Sequence, residues 1–184
     1  MIRVVVADRH PATCAGVNAI LAEHAGIVGV GSAADRQALW PLLYRTDPDV
    51  VVLDDLRTCL AVRARHPRSR VVAHVDGAFG LVVPARIAGA DALVDKACSP
   101  GELVLAVRGE SALPPVTARL QRQAAAPLSG TDRAILAMRL AGTPDRELAR
   151  VVGLDPRALA ARVAAIVSGT AVGALDRAGE LHAG

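Results

Sequence analysis

The sequence predicts a doubly wound α/β domain with a five-stranded parallel sheet, followed by a small all-α unit, and three observations carry that prediction. Runs such as IRVVVA at residues 2–7 and DVVVLDD at residues 49–55 are continuously apolar rather than alternating, the mark of strands buried on both faces. Five such runs alternate with helical stretches inside residues 1–110, which implies right-handed crossovers and a site at the C-terminal ends of the strands. Beyond a proline-containing stretch at residues 111–127 the strands stop and only helical patterns remain.

Taken in order, the first strand covers residues 2–7 and ends at Asp8; a helix then runs from Pro11 to Glu23, with Val17, Ile20 and Leu21 at helical spacing. Ile27 to Gly31 is a second strand, and Asp35 to Arg45 a second helix that Pro41 is expected to kink. The third strand precedes Asp54 and Asp55, and the helix Leu56 to Arg65 is closed by His66-Pro67 before the strand Arg70 to Val75. Residues 79–88 form a weak helix containing Pro84, Ala92 to Val94 a fifth strand, and Ser99-Pro100 opens a helix with a serine cap and proline at its first position. Residues 111–127 are a linker with one or two helical turns, and residues 128–184 hold helices at Thr131–Ala141, Asp145–Val152, Pro156–Val167 and a separate fourth at about Ala171–Leu181.

Composition narrows the function classes. Hydrophobic residues make up 52% of the 184, enough for a core, while only Trp40, Tyr44 and Phe79 are aromatic, against a reader that stacks single-stranded bases. Apolar runs fall short of a membrane span and the N-terminus lacks a signal-peptide pattern, so a cytoplasmic protein is expected. Cys14, Cys59 and Cys98 form no CxxC pair; neither a zinc site nor a disulfide framework is expected, and idle thiols are preferred over a lowered Cys98 pKa beside Lys96. The net charge of +3 divides into 0 for residues 1–110, +2 for 111–127 and +1 for 128–184, without a strongly basic patch. No catalytic serine, thiol–histidine pair or metal cluster supports an enzyme.

The strand ends carry the candidate chemistry. Asp8, Asp54, His74 and Lys96 lie at or beside the ends of four different strands, and this topology converges them on one rim. A carboxylate there can accept a phosphoryl group, a second can hold Mg²⁺, and a lysine can pair with phosphoryl oxygens. Read alone, His74 is a structural histidine rather than a ligand, and His10 starts the first helix.

VVVADRHP, PDVVVLDD and AGADALVDKACSPGEL resemble the signature segments of NarL/FixJ-type response-regulator receiver domains, which have a flavodoxin-like fold. The spacing from Asp8 matches that family at Asp54 rather than Asp55 as the phospho-acceptor position. LSGTDRAILAMRLAGTPDRELARVVGLDPRALAARVAAIV resembles the family's LuxR-type helix-turn-helix, in which Gly153 takes the turn and Asp155 with Pro156 caps the second helix.

Departures from the pattern matter as much. The second of two adjacent acids is Arg9, the hydroxyl position aligns with His74, and the aromatic switch position with Leu93; the stretch after Asp54 is several residues short. Replacing an acid by Arg9 removes an oxygen ligand and adds a cation, so Mg²⁺ binding is expected to be weak or absent and Arg9 to pair with Asp8 or Asp54. On the recognition helix, Ala160 and Ala164 stand where the family often places lysines, leaving Arg157 and Arg162 on that helix and Arg146 and Arg150 on the preceding one to contact DNA.

The reading is an atypical response regulator, a DNA-binding transcription regulator whose Asp54 is vestigial. The alternative is an interaction module, an antagonist or heterodimer partner of another regulator that has lost DNA binding. A third reading is a receiver gated by a small apolar effector. Surplus apolar residues Leu81, Val82, Val83 and Ile87 predict a homodimer or heterodimer face over residues 79–108.

Overall fold

A computed structural model describes residues 1–182, with side chains described through residue 171. Five parallel strands, β1 (Ile2–Ala7), β2 (Ile27–Ala33), β3 (Val50–Leu53), β4 (Arg70–Val75) and β5 (Ala92–Asp95), form one sheet in the order β2-β1-β3-β4-β5. Between them lie α1 (Pro11–Ala22), α2 (Arg36–Thr46), α3 (Leu56–Arg65), a 3-10 turn at Ala78–Leu81 leading into α4 (Val82–Ile87), and α5 (Pro100–Arg108).

Because successive strand side chains face opposite ways, each apolar run feeds two cores. Val4, Val6, Val50, Val52 and Val72 pack with Val17 and Leu21 of α1 and Leu103 and Val107 of α5. Val5, Val51, Leu53 and Val71 pack on the other face with Leu39 and Leu43 of α2 and Cys59 and Val62 of α3. Each buried Val or Leu contributes about 1.5–3 kcal/mol relative to exposure, so the double-sided runs explain why the central strands need no polar residue.

Helix α2 runs through Pro41, with Asp35 accepting from the Ala38 N–H at 2.8 Å as its cap. Two local expectations are corrected. Ser99 sits at the start of α5 but its side chain makes no capping bond. The stretch 79–88 is a 3-10 turn and the short α4 rather than one helix.

The remaining chain is helical: α6 (Ala118–Ala125), α7 (Gly130–Leu140), α8 (Asp145–Val152) and α9 (Pro156–His182). A separate fourth helix was expected near residue 171, but α9 is continuous; Ser168 Oγ and Thr170 Oγ1 donate back to the Ala164 and Ile166 carbonyls at 2.9 and 2.7 Å, so neither side chain draws the backbone out of the helix. The side chains of that expected helix beyond Ala171, and residues 183 and 184, lie outside the described residues.

Helix α9 packs on α3, on α4 and on the 3-10 turn, and Leu159, Val163, Ile166 and Val167 join the same core as β4 and α4. That contact accounts for the surplus apolar residues from which a dimer face over residues 79–108 was expected, so those residues no longer argue for one. Leu81, Val82, Val83 and Ile87 are buried within the chain, while Phe79 stays almost fully exposed. The surplus of apolar residues on α4 reflects an intramolecular neighbour far away in sequence.

Two arginines tie the segment before α6 to the sheet domain. Arg70 Nη2 donates to the Ser111 carbonyl at 2.5 Å, and Arg86 Nη2 donates to the Leu113 and Pro114 carbonyls at 3.1 and 2.9 Å. At the other end of the sheet, Asp55 caps α3, accepting from the Thr58 N–H at 2.8 Å and from the Thr58 hydroxyl. Asp55→Ala is expected to lower stability by about 1 kcal/mol, read as a lower urea midpoint with an unchanged slope. An unchanged midpoint would contradict the cap.

Candidate functional site

The strand ends bring Asp8, Arg9, Asp54 and Lys96 together. Asp8 follows β1 and is 4% exposed; its Oδ1 accepts from the His10 N–H at 2.8 Å and lies 3.1 Å from His10 Nδ1, while Lys96 Nζ stands 2.6 Å from Oδ2. Lys96 is carried there from the end of β5, where its N–H donates to the Val75 carbonyl at 3.0 Å. Burial pushes the Asp8 carboxyl up, but the Lys96 hydrogen bond and charge together with the His10 N–H outweigh it and hold the group below its ordinary value.

Asp54 follows β3, and its N–H extends the β1–β3 ladder by donating to the Ala7 carbonyl at 3.1 Å. Its Oδ2 accepts from the Arg9 N–H at 3.0 Å and faces Arg9 Nε at 3.4 Å. The guanidinium itself is well exposed, so the pair is a modest electrostatic bond; the backbone bond fixes its geometry. An open cleft of about 600 Å³ beside Asp54 is bordered by Arg9, Asp35, Gln37, Asp55 and Thr58.

These residues do not suit a divalent cation. Both oxygens of Asp8 already face a cation or a donor, one oxygen of Asp54 is held by Arg9, and two positive side chains occupy the rim where hard oxygen ligands would be needed. Among the described residues no group of three or more His, Cys, Asp or Glu side chains has a metal-holding arrangement.

His74 is not hydrogen-bonded to this group. It is buried on the α1–α5 face of the sheet, where it lines a cavity of about 190 Å³ with Thr13, Val17, Lys96, Cys98 and Leu103. Burial, reinforced by the Lys96 charge, holds its pKa below the ordinary 6.5. All three thiols are pushed the other way: burial raises Cys14, Cys59 and Cys98, and the Glu102 and Asp95 carboxylates add to the effect at Cys98.

Asp95 is a positioning residue the sequence reading passed over. Its carboxylate accepts from the Ala78 N–H at 2.8 Å and the Ala97 N–H at 2.9 Å, joining the loops after β4 and β5 and fixing the backbone beside Lys96. An acid immediately before the lone lysine was the available signal.

On the helical surface, Arg146, Arg150 and Arg157 are exposed. Gly153 ends α8 at φ 69°, a left-handed conformation that favours glycine, and Asp155 Oδ1 accepts from the Arg157 and Ala158 N–H groups at 2.8 and 3.0 Å to start α9. Arg162 does not project freely: its Nε donates to Asp132 Oδ1 at 2.5 Å, next to the Ser129 cap of α7. Burial pushes the Asp132 carboxyl up, yet the Arg162 and Ser129 hydrogen bonds hold it below its ordinary value. Ala160 and Ala164 line a cleft facing α3.

A buried histidine with a depressed pKa stabilises the fold fully above its unfolded value of 6.5 and progressively less as pH falls toward the folded value, because the unfolded chain takes up the proton first. The thermal midpoint measured from about pH 7.5 to 5 is therefore expected to drop more steeply in the parent than in His74→Gln. Parallel curves would contradict the depressed pKa.

No family model matches the chain, and no curated protein matches it. Solved structures do. A receiver domain of the response regulator NarL from Mycobacterium tuberculosis is 32% identical with a TM-score of 0.52, covering 58% of this chain and 93% of that one. A LuxR-family response regulator from an Aurantimonas species is 28% identical with a TM-score of 0.53, covering 60% and 84%. RcsB from Salmonella enterica serovar Typhimurium, bound to a promoter, shares the fold over 91% of this chain and 92% of its own at 17% identity and a TM-score of 0.54.

Proposed function

This chain belongs to the response-regulator family of its structural neighbours, and we propose that it is an atypical member: a DNA-binding transcription regulator not controlled by ordinary aspartyl phosphorylation. Those neighbours are response regulators rather than enzymes. In this reading residues 1–110 are the receiver part, residues 111–127 a linker and residues 128–184 a LuxR-type helix-turn-helix.

The observation that carries the phosphorylation part is the Arg9 contact with Asp54, through its N–H at 3.0 Å and its guanidinium at 3.4 Å. An acceptor carboxylate must attack phosphorus while a metal ion gathers charge on the transferring oxygens. Here the Arg9 N–H engages one oxygen of Asp54 and the exposed guanidinium adds positive charge where oxygen ligands for a metal would be needed, which supports reading Asp54 as a rim carboxylate with a vestigial acceptor role. Incubation with acetyl phosphate and Mg²⁺ is expected to leave the intact mass unchanged; a stoichiometric phosphoryl adduct lost on Asp54→Asn would overturn this.

For DNA, the first turns of α9 are the proposed major-groove element, with Arg157 at its start and Arg146 and Arg150 of α8 at phosphates. RcsB in a DNA complex supports duplex DNA as partner at the level of fold. Arg162 joins only by exchanging Asp132 for a phosphate or base, which its own half-exposed side chain allows. A homodimer, or a heterodimer with another regulator, would compensate for weak individual contacts.

A specific observation also favours the second reading, an interaction module without DNA binding: Arg162 is tied to Asp132, and Ala160 and Ala164 face α3. Binding of genomic fragments over a salt series separates the two. The parent is expected to recover specific fragments with a steep salt slope, and the double variant Arg157→Ala with Arg162→Ala to lose them, a guanine-reading arginine costing about 1–3 kcal/mol. A parent that binds nothing at low salt, or a double variant that binds as well, gives the interaction module instead.

A further inference from the structure

Between α3 and the α8–α9 pair lies a cleft of about 830 Å³. Its floor is apolar, formed by Leu60 and Ala61 of α3, Ala149 of α8, and Leu159, Ala160 and Val163 of α9. Its rim is cationic: Arg36, Arg57, Arg65, Arg139 and Arg146 line it against a single carboxylate, Asp145. That volume is within the range of small-molecule sites, which combine apolar walls with a few placed polar groups.

Charge balance at the rim is one-sided. Asp145 is already paired, its Oδ1 lying 3.0 Å from Arg139 Nη1. Arg65 lies over the Trp40 ring, 4.4 Å from its centroid, and Arg57 Nε donates to Ser168 Oγ at 2.8 Å across the α3–α9 junction. Among the described residues Arg36 and Arg146 have no carboxylate partner.

The arginine that is paired at the rim is itself incompletely satisfied. Arg139 Nε is a buried nitrogen with no hydrogen-bond partner among the described residues, on a side chain that lines the cleft. Its charge is met by Asp145 through Nη1, and what goes without an acceptor is the Nε–H. The small side chains at 160 and 164 leave the space open, because a longer residue at either position would extend into it.

We propose that this cleft binds a small amphipathic anion, an apolar body bearing a carboxylate or phosphate. The head group accepts from the rim arginines without a carboxylate partner, Arg146 foremost, and the body lies on Leu60, Ala61, Leu159 and Val163. Duplex DNA offers phosphates but is too wide to reach the apolar floor, and a neutral apolar molecule would leave Arg36 and Arg146 at the rim without a counter-charge. The site is distinct from the Asp8–Asp54 rim, and the proposal does not depend on whether the chain reads DNA.

Isothermal titration of the full chain with decyl phosphate and with decanoate tests it, with 1-decanol and inorganic phosphate as probes of body and head alone. Saturable one-to-one binding of at least one anion is expected, about fivefold or more tighter than either control; which anion binds more tightly distinguishes a phosphate from a carboxylate ligand. Ala160→Trp, at an exposed position, should fill the cleft and abolish binding, and Ala64→Trp approaches the same space from α3 should the first variant fail to fold. Arg146→Ala should weaken binding about threefold or more. No saturable binding of either anion, equal binding of decanol or inorganic phosphate, or full binding by a folded tryptophan variant would overturn the site.

Discussion

The Lys96 ammonium, 2.6 Å from a carboxylate that is almost wholly buried, holds the ends of β1 and β5 to one another across the rim of the sheet. Breaking such a pair from one side costs about 3–5 kcal/mol, because the remaining charge is left desolvated. With Asp8 fixed, the three residues that leave β1 are fixed with it. His10 returns its N–H to Asp8 and begins α1, and Arg9 between them is turned toward Asp54 on the neighbouring strand. The rim thus sets two carboxylates against a buried lysine and an exposed arginine. Under the proposed function, this balance of charges takes the place that a metal ion and a phosphoryl group would otherwise fill.

The second constraint is the continuity of the core. Residues of α9 share one apolar cluster with β4, α3 and α4, so the C-terminal helices are packed on the sheet domain rather than strung behind it. The same contact sets Ala160 and Ala164 opposite α3 and creates the arginine-rimmed cleft. Separating the two parts would uncover apolar surface on α3 and α4 on one side and on the inward residues of α9 on the other. The cost of that exposure scales with the apolar area uncovered.

Much of this was legible in the sequence. Double-sided burial explains the unbroken apolar runs of β1 and β3, and each run ends at the carboxylate that the rim uses. The bounds of α3 and β4 follow from His66-Pro67 and the β-branched run after it. The choice of Asp54 over Asp55 rests on spacing, and the fold gives Asp55 a different task, capping α3. What could not be read were features set by distant packing: the partner of α4, the continuity of α9 through Ser168-Gly169-Thr170, and the pairing of Arg162 with Asp132. A periodicity argument sees that a face is apolar, not which element covers it. Asp95 was missed for another reason, since its carboxylate serves backbone N–H groups of two loops that sequence spacing does not bring together.

The account turns on Arg9 standing where a metal ligand would be, and Mg²⁺ titration of the parent against Arg9→Asp tests that directly. Restoring the second acid supplies the missing oxygen ligand and releases Asp54, so calorimetry should show saturable millimolar Mg²⁺ binding in the variant and none in the parent. Equal Mg²⁺ affinity in the two proteins would contradict the claim that Arg9 has closed the site.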